Sequence, residues 1–228
     1  MKITLAFDVY GTLLNTHGVV MALEELIGNQ AQIFSQTWRD KQLEYSFRRG
    51  LMQSYDVFPV CISDALDYSC LHYKTSFTES EKNELLYIYS RLPAFDDAIT
   101  SLQELRKTGN HLYAFSNGPR VTVEELLSTA NIREYFLDIV SVDSIKTFKP
   151  SPDVYDHFVR TSNTEKENAW LISSNPFDVI GAISAGMKAV WVQRSKEVIF
   201  DPWGVEPTIA ISSLLKLREK IDEYYSIQ

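Results

Sequence analysis

Residues 3–14 read ITLAFDVYGTLL. An apolar run ends at the acid Asp8, and the chain turns at once through Gly11 and Thr12. A continuous apolar run of this length suits a strand buried on both faces in a parallel sheet. The same form recurs down the chain. Residues 112–116 (LYAFS) lead into Asn117, Gly118 and Pro119, and residues 169–173 (AWLIS) lead into Ser174, Asn175 and Pro176. Residues 189–192 (AVWV) make a further run. Helical stretches precede these runs: 97–107, with Ala98, Leu102 and Leu105 apolar and Gly109 as a stop signal, then 121–130 and 152–160. This alternation predicts an α/β fold built on a doubly wound parallel sheet.

Residues 15–92 lack clear strands. Residues 31–51 have the length and polarity of one long helix, and 64–73 and 80–92 read as two more. The expected organisation is an α/β core from residues 1–14 plus 93–228, with an all-helical subdomain inserted over 15–92. Ligands in such sheets bind outside the carboxyl ends of the strands. Asp8, Ser116 and the segment 173–178 close their respective runs, so all are expected at that edge. A helical insertion leaving just after Asp8 would lie over the same edge as a cap.

Bulk properties narrow the function classes. The chain has 228 residues, a formal net charge of -8 and 45% hydrophobic residues. It carries no basic run or stripe, which argues against nucleic acid, and its acidity disfavours anionic membranes. No stretch approaches the roughly 20 apolar residues of a membrane span, and the N-terminal apolar run is too short for a signal peptide. Cys61 and Cys70 show no metal-ligand spacing and read as buried thiols of a reduced, cytoplasmic protein.

The chemistry-bearing candidates each have an ordinary structural reading too. Asp8 could be a turn carboxylate. In the context DVYGT, however, Gly11 permits a tight turn, free amides can hold an anionic oxygen, and Thr12 can fix one carboxylate oxygen. A carboxylate held this way is a credible nucleophile. Ser116, Asn117 and Gly118 are strand-end turn residues or hydrogen-bond donors to the same pocket. Lys149, before Pro150, is a solvated loop lysine or an ammonium orienting Asp8. Asp178 is a helix cap or a second carboxylate beside Lys149.

The order DxxGT, SNG, KP and an acid-bearing loop after a strand resembles the haloacid dehalogenase (HAD) superfamily, over almost the whole chain. The resemblance implies a Rossmannoid core with a helical cap. Most members are phosphatases, with a second aspartate two residues after the nucleophile and a bound magnesium. Here that position is Tyr10. A phenol with a pKa of about 10 is a poor general acid and no carboxylate base, whereas a halide leaves as a stable anion without a proton.

The finer resemblance is to the L-2-haloacid dehalogenases, through FDVYGTLL, SNG, FKP with Tyr155 further on, SSNPFD, and residues 38–45, WRDKQLEY, which look like that family's cap-helix signature. It implies that Asp8 attacks the α-carbon and displaces halide, forming an ester with inverted configuration. Arg39, Asn117 and Phe177 would cradle the halide. Ser116 and backbone amides near Val9 and Tyr10 would hold the substrate carboxylate, with Gln42 beside them. Thr12, Lys149, Tyr155, Ser173 and Asn175 would position the acids, and Asp178 would help activate water. The implied product is a D-2-hydroxy acid, with no cofactor or metal, and the implied assembly is a homodimer, with Tyr55, Phe58 and Tyr68 offering apolar contact. Leu14, Pro176 and Phe177 depart from many relatives, and residues 51–92 match more loosely. Arg39 and Lys149 also answer a charge problem, since a carboxylate substrate must approach the carboxylate of Asp8. The alternatives are a HAD-type phosphatase acting on a small phosphomonoester and a non-catalytic binding protein on the same scaffold.

Overall fold

A computed structural model describes residues 2–227. In chain order the elements are β1 (Thr4–Phe7), α1 (His17–Ile27), α2 (Ala31–Leu51), α3 (Phe58–Tyr73), α4 (Glu79–Tyr89), α5 (Asp96–Lys107), β2 (His111–Ser116), α6 (Arg120–Thr129), β3 (Asp138–Ser141), α7 (Pro152–Thr161), β4 (Ala169–Ser173), α8 (Pro176–Ser184), β5 (Lys188–Val192), β6 (Ile209–Ile211) and α9 (Leu217–Ile227). The strands form one six-stranded sheet in the order β3-β2-β1-β4-β5-β6. Every pairing is parallel.

The apolar runs become strands because both sheet faces are covered. All four residues of β1 and all five of β4 are buried. β1 lies centrally, with Phe7 level with Ala114 of β2 and Ile172 of β4. The chain builds outward from β1 to β3, returns to pair β4 on the other side of β1, and builds outward again. The strand order therefore reverses between β1 and β4, where parallel sheets open a crevice at their carboxyl edge. Asp8 stands at that point, its N–H donating to the Ile172 carbonyl at 2.9 Å.

The helices α1–α4 fall between β1 and α5. α2 packs along α3, and α1 contacts both α2 and α4. Three of these elements differ from the sequence expectation. α4 ends at Tyr89 rather than at residue 92. α1 was not anticipated, and α3 starts at Phe58 rather than at residue 64, with Pro59 in its first turn, where a missing N–H costs nothing. β3, β6 and α9 were also not anticipated. β6 has only three residues, too few for a periodic signal.

One close approach has no signal in the sequence. Gly181 on α8 faces Tyr155 of α7. A Cβ there would collide with the Tyr155 hydroxyl and stand 2.8 Å from Pro150 Cβ and 2.9 Å from Tyr155 Cε2. Tyr155 is fully buried, so relief requires moving α7 or α8. Gly181→Ala is expected to lower stability by about 1–3 kcal/mol, read as a shift of the urea midpoint at unchanged slope. An unshifted midpoint would mean that the helices accommodate a methyl group here.

Candidate active site

Three ionisable side chains are buried at the carboxyl edge: Asp8 after β1, Lys149 before α7, and Asp178 in the first turn of α8. The Lys149 ammonium donates to Asp8 Oδ1 at 3.2 Å, to Asp178 Oδ2 at 2.8 Å and to the Phe115 carbonyl at 3.0 Å. It therefore uses all three of its donors, and its nitrogen also stands 4.3 Å from the Phe115 ring centroid. Burial alone would drive the ammonium pKa down. The carboxylates of Asp178 and Asp8 outweigh that and hold it above its ordinary 10.5.

Asp178 is fully buried. The helix begins at Pro176 with Asn175 at its cap position, so Asp178 is an ion-pair partner and not the N-cap that its place in the loop also suggested. Its Oδ1 accepts the Tyr155 hydroxyl at 2.8 Å. Burial pushes its pKa up and Lys149 pulls it down, while the Asp8 charge adds to the rise; the net direction is upward.

The second oxygen of Asp8 is held independently. Oδ2 accepts the Thr12 hydroxyl at 2.7 Å and the Asn175 amide at 2.8 Å. Thr12 Oγ1 is fixed in turn by the Ser174 N–H at 2.8 Å. The Ser173 hydroxyl accepts the Asn175 N–H at 3.1 Å and so sets the start of this loop. Gly11, with φ of 80°, lets the turn after Asp8 close in a left-handed conformation, and the Val9 carbonyl accepts the N–H groups of Leu13 and Leu14 at 3.0 Å each.

Ser116 and Asn117 reach this edge but spend contacts on the backbone. Ser116 Oγ accepts the Gly118 N–H at 3.1 Å, and Asn117 Oδ1 accepts the Lys149 N–H at 3.0 Å. Asn117 thus ties the loop bearing Lys149 to the end of β2.

The helices after β1 supply the other wall. Arg39 Nη2 donates to Asn175 Oδ1 at 3.4 Å, while Nη1 is buried with no hydrogen-bond partner. Gln42 Oε1 accepts the Tyr89 hydroxyl at 2.8 Å, and its Nε2 is likewise buried and unpartnered. Unmet buried donors are expensive unless something completes them. The Tyr10 ring lies 5.7 Å from those of both Tyr89 and Phe58, stacked on Tyr89. Burial raises the Tyr10 pKa well above its ordinary value, so its phenol stays protonated. Phe177 packs edge-on against Phe47 of α2 at 5.0 Å.

Among the expected dimer contacts, Phe58 is buried. Tyr55 stacks on Phe148 at 4.9 Å and donates to Asp143 Oδ1 at 2.8 Å, and Tyr68 meets Tyr45 edge-on. Packing within this chain accounts for all three. Cys61 and Cys70 are free and buried. Among the described residues, no helix is long and apolar enough to cross a membrane.

The family model described as haloacid dehalogenase-like hydrolase matches residues 4–186. The chain belongs to this family. Among its relatives is an (S)-2-haloacid dehalogenase of Pseudomonas putida, 32% identical over 213 residues, which cover 93% of each chain. Another is haloacetate dehalogenase H-2 of Moraxella sp. (strain B), 34% identical over 91% of this chain and 92% of that one. The solved structure of L-2-haloacid dehalogenase from Xanthobacter autotrophicus with chloropropionic acid covalently bound superposes with a TM-score of 0.90. It is 27% identical and covers 97% of this chain and 99% of its own.

For this haloacid dehalogenase-like hydrolase, the sequence reading overlooked Phe115, Ser174, Tyr89 and Gly181 as supports of the site. Ser174 had a readable signal, since it lies inside the loop already singled out. Phe115 acts through its carbonyl and ring face, which no motif reports.

The ion cluster makes a pH-dependent prediction. Lys149→Met leaves two buried carboxylates without their cation and should cost about 3–5 kcal/mol near neutral pH. Without Lys149, Asp178 is pushed further toward its protonated form. Its folded pKa then lies above the ordinary 3.8 by more than in the parent, and folding takes up a proton between those two values. The variant should therefore regain stability as pH falls through the raised folded pKa toward 3.8 and lose it as pH rises. Urea unfolding of parent and variant across acid and neutral pH checks this; a difference that does not vary with pH would contradict it.

Proposed function

We propose that this enzyme hydrolyses the carbon–halogen bond of short 2-haloalkanoic acids, taking the (S) enantiomer to the D-2-hydroxy acid through an ester on Asp8. The observation that carries the reading is the asymmetric holding of the Asp8 carboxylate. Oδ2 is bound by two donors, Thr12 and Asn175, while Oδ1 has only Lys149, at 3.2 Å. Oδ1 is the freer oxygen and attacks the α-carbon opposite the halide, inverting it. Oδ2 becomes the ester carbonyl oxygen, already inside a pair of donors that stabilise the oxyanion when water attacks the Asp8 carbonyl carbon. Asp178 aids removal of the water proton, with Lys149 favouring its charged form.

The same reading assigns the unpartnered Arg39 Nη1 and Gln42 Nε2 to the anionic ends of the substrate. Arg39 takes the departing halide with Asn117 and Phe177. Ser116 and the amides near Val9 and Tyr10 take the carboxylate. Residues 15–92 act as the cap that closes over the site. The names of the relatives support the substrate class. Tyr10 stands where a phosphatase needs a carboxylic acid, and the Asn175 amide points a donor at the Asp8 oxygen that a metal would need, so a phosphatase reading is disfavoured. The enzyme is proposed to be a cytoplasmic homodimer, consistent with free buried thiols and with the exposed Leu51 and Leu71 on the paired helices α2 and α3.

Chloride release from (S)-2-chloropropionate in EDTA, with D-lactate as product, is the expected result. The (R) enantiomer should be inert, and chloroacetate tests the smaller substrate. Asp8→Asn should abolish turnover. In a single turnover in 18O-labelled water, label should enter Asp8 and not the product hydroxyl; label appearing first in the product would replace the ester mechanism with direct attack by water.

A further inference from the structure

Arg194 lies just beyond β5, with its side chain 15% exposed. Its Nη1 donates to both carboxylate oxygens of Asp97 at 2.8 Å each, and its Nη2 donates to the Thr12 carbonyl. The guanidinium carbon stands 4.0 Å from the Phe95 ring centroid. Asp97 is itself fixed by the Ser213 hydroxyl at 2.7 Å and the Leu214 N–H at 2.9 Å. Arg194 therefore presents a planar fork whose carboxylate anchor is locked from the far side.

Its partners have a common place in the fold. The chain leaves the sheet core after Asp8 and returns before α5, and these crossings lie against each other. Asn15 N–H donates to the Pro93 carbonyl at 2.8 Å, Phe95 N–H donates to the Leu13 carbonyl at 2.9 Å, and Leu14 bridges antiparallel to Ala94. Arg194 grips the outgoing crossing at Thr12 and the returning one at Phe95 and Asp97. Thr12 is also the residue whose hydroxyl donates to Asp8 Oδ2 at 2.7 Å.

We infer that Arg194 is a positioning residue for the nucleophile: it clamps the carbonyl of Thr12, whose hydroxyl sets the Asp8 carboxylate, and fixes this clamp to the paired crossings through Asp97. Arg194 touches no reacting atom and acts through Thr12 alone. A lysine cannot replace it, because Nη1 spans both Asp97 oxygens while a second nitrogen, Nη2, reaches the Thr12 carbonyl, and an ammonium has only one nitrogen.

The kinetic consequence rests on the dehalogenase reading given above. In Arg194→Ala, kcat for (S)-2-chloropropionate should fall about 10- to 100-fold, the scale of a small misplacement of a reacting group. KM should stay within about threefold, because the substrate's own contacts are untouched. Arg194→Lys should recover little, while added guanidinium ion should restore part of kcat to Arg194→Ala and none to Arg194→Lys, whose side chain fills the site. A purely structural staple would lower the melting temperature without this kcat-specific loss and without rescue. Hydrogen–deuterium exchange of residues 9–15 is read in parallel and needs no turnover: it should accelerate in the isosteric Arg194→Met. Folded variants with kcat within about threefold of the parent, or with unchanged exchange over 9–15, overturn the inference. Absence of chloride from the parent enzyme overturns the dehalogenase reading instead and leaves the exchange result to decide the clamp.

Discussion

Everything at the carboxyl edge of the sheet depends on one ammonium placed between two carboxylates. Asp8 and Lys149 come from two separate loops and Asp178 from the first turn of α8, and all three are buried. Removing such charges from water costs several kcal/mol per ion even after relaxation, so the arrangement persists only because each group is fully partnered. Lys149 spends its donors on Asp8, Asp178 and the Phe115 carbonyl. Tyr155 completes Asp178, and Thr12 and Asn175 complete Asp8. The packing of α7 against α8 follows from this: the Tyr155 hydroxyl can reach Asp178 because Gly181 carries no side chain.

The cluster also sets the charge balance of the cavity. Two carboxylates and one ammonium leave one excess negative charge, and an anionic ligand would add another. The wall contributed by α2 answers with Arg39, one of whose nitrogens is buried without a partner. The same wall is aromatic where it meets Tyr10, through Tyr89 and Phe58. Tyr10 thus serves a packing need as well as a chemical one. It seals the seam between the sheet core and the helices, and its raised pKa keeps it neutral there.

Much of this was legible in the sequence, and the reasons separate by range. The strands β1, β2, β4 and β5 announce themselves as continuous apolar runs because they are covered on both faces. Asp8, Ser116 and the segment 173–178 could be placed at one edge because each terminates or follows such a run, whereas Lys149 ends a polar loop and only its motif pointed to the pocket. β6 escaped notice because three residues carry no periodicity, and α9 because its half-buried face looks like a surface helix. Gly181 and Arg194 were invisible for another reason. Their meaning lies in what faces them across the fold, Tyr155 and Thr12, and no local pattern encodes an encounter between residues so far apart in sequence. Asn117 shows the intermediate case: its motif predicts the pocket edge, but only the fold reveals that its carbonyl holds the Lys149 backbone.

Asp8 and the first crossing from the sheet to the helices α1–α4 share a single turn. Any movement of the helices relative to the sheet must pass through residues 9–15, which also carry Asp8's nearest hydroxyl. A flexible connection there would let the Asp8 carboxylate swing whenever the helices shifted. The turn is instead closed on itself, with the Val9 carbonyl accepting two N–H groups and Gly11 N–H donating to Leu14 at 3.0 Å. It is then paired to the returning crossing at Leu14 and Ala94. The hydrogen-bonded pairing of the two crossings extends to Asn15 on the outgoing side and Pro93 on the return. The sheet core thereby holds the Asp8 carboxylate through the same turn that starts the run of helices.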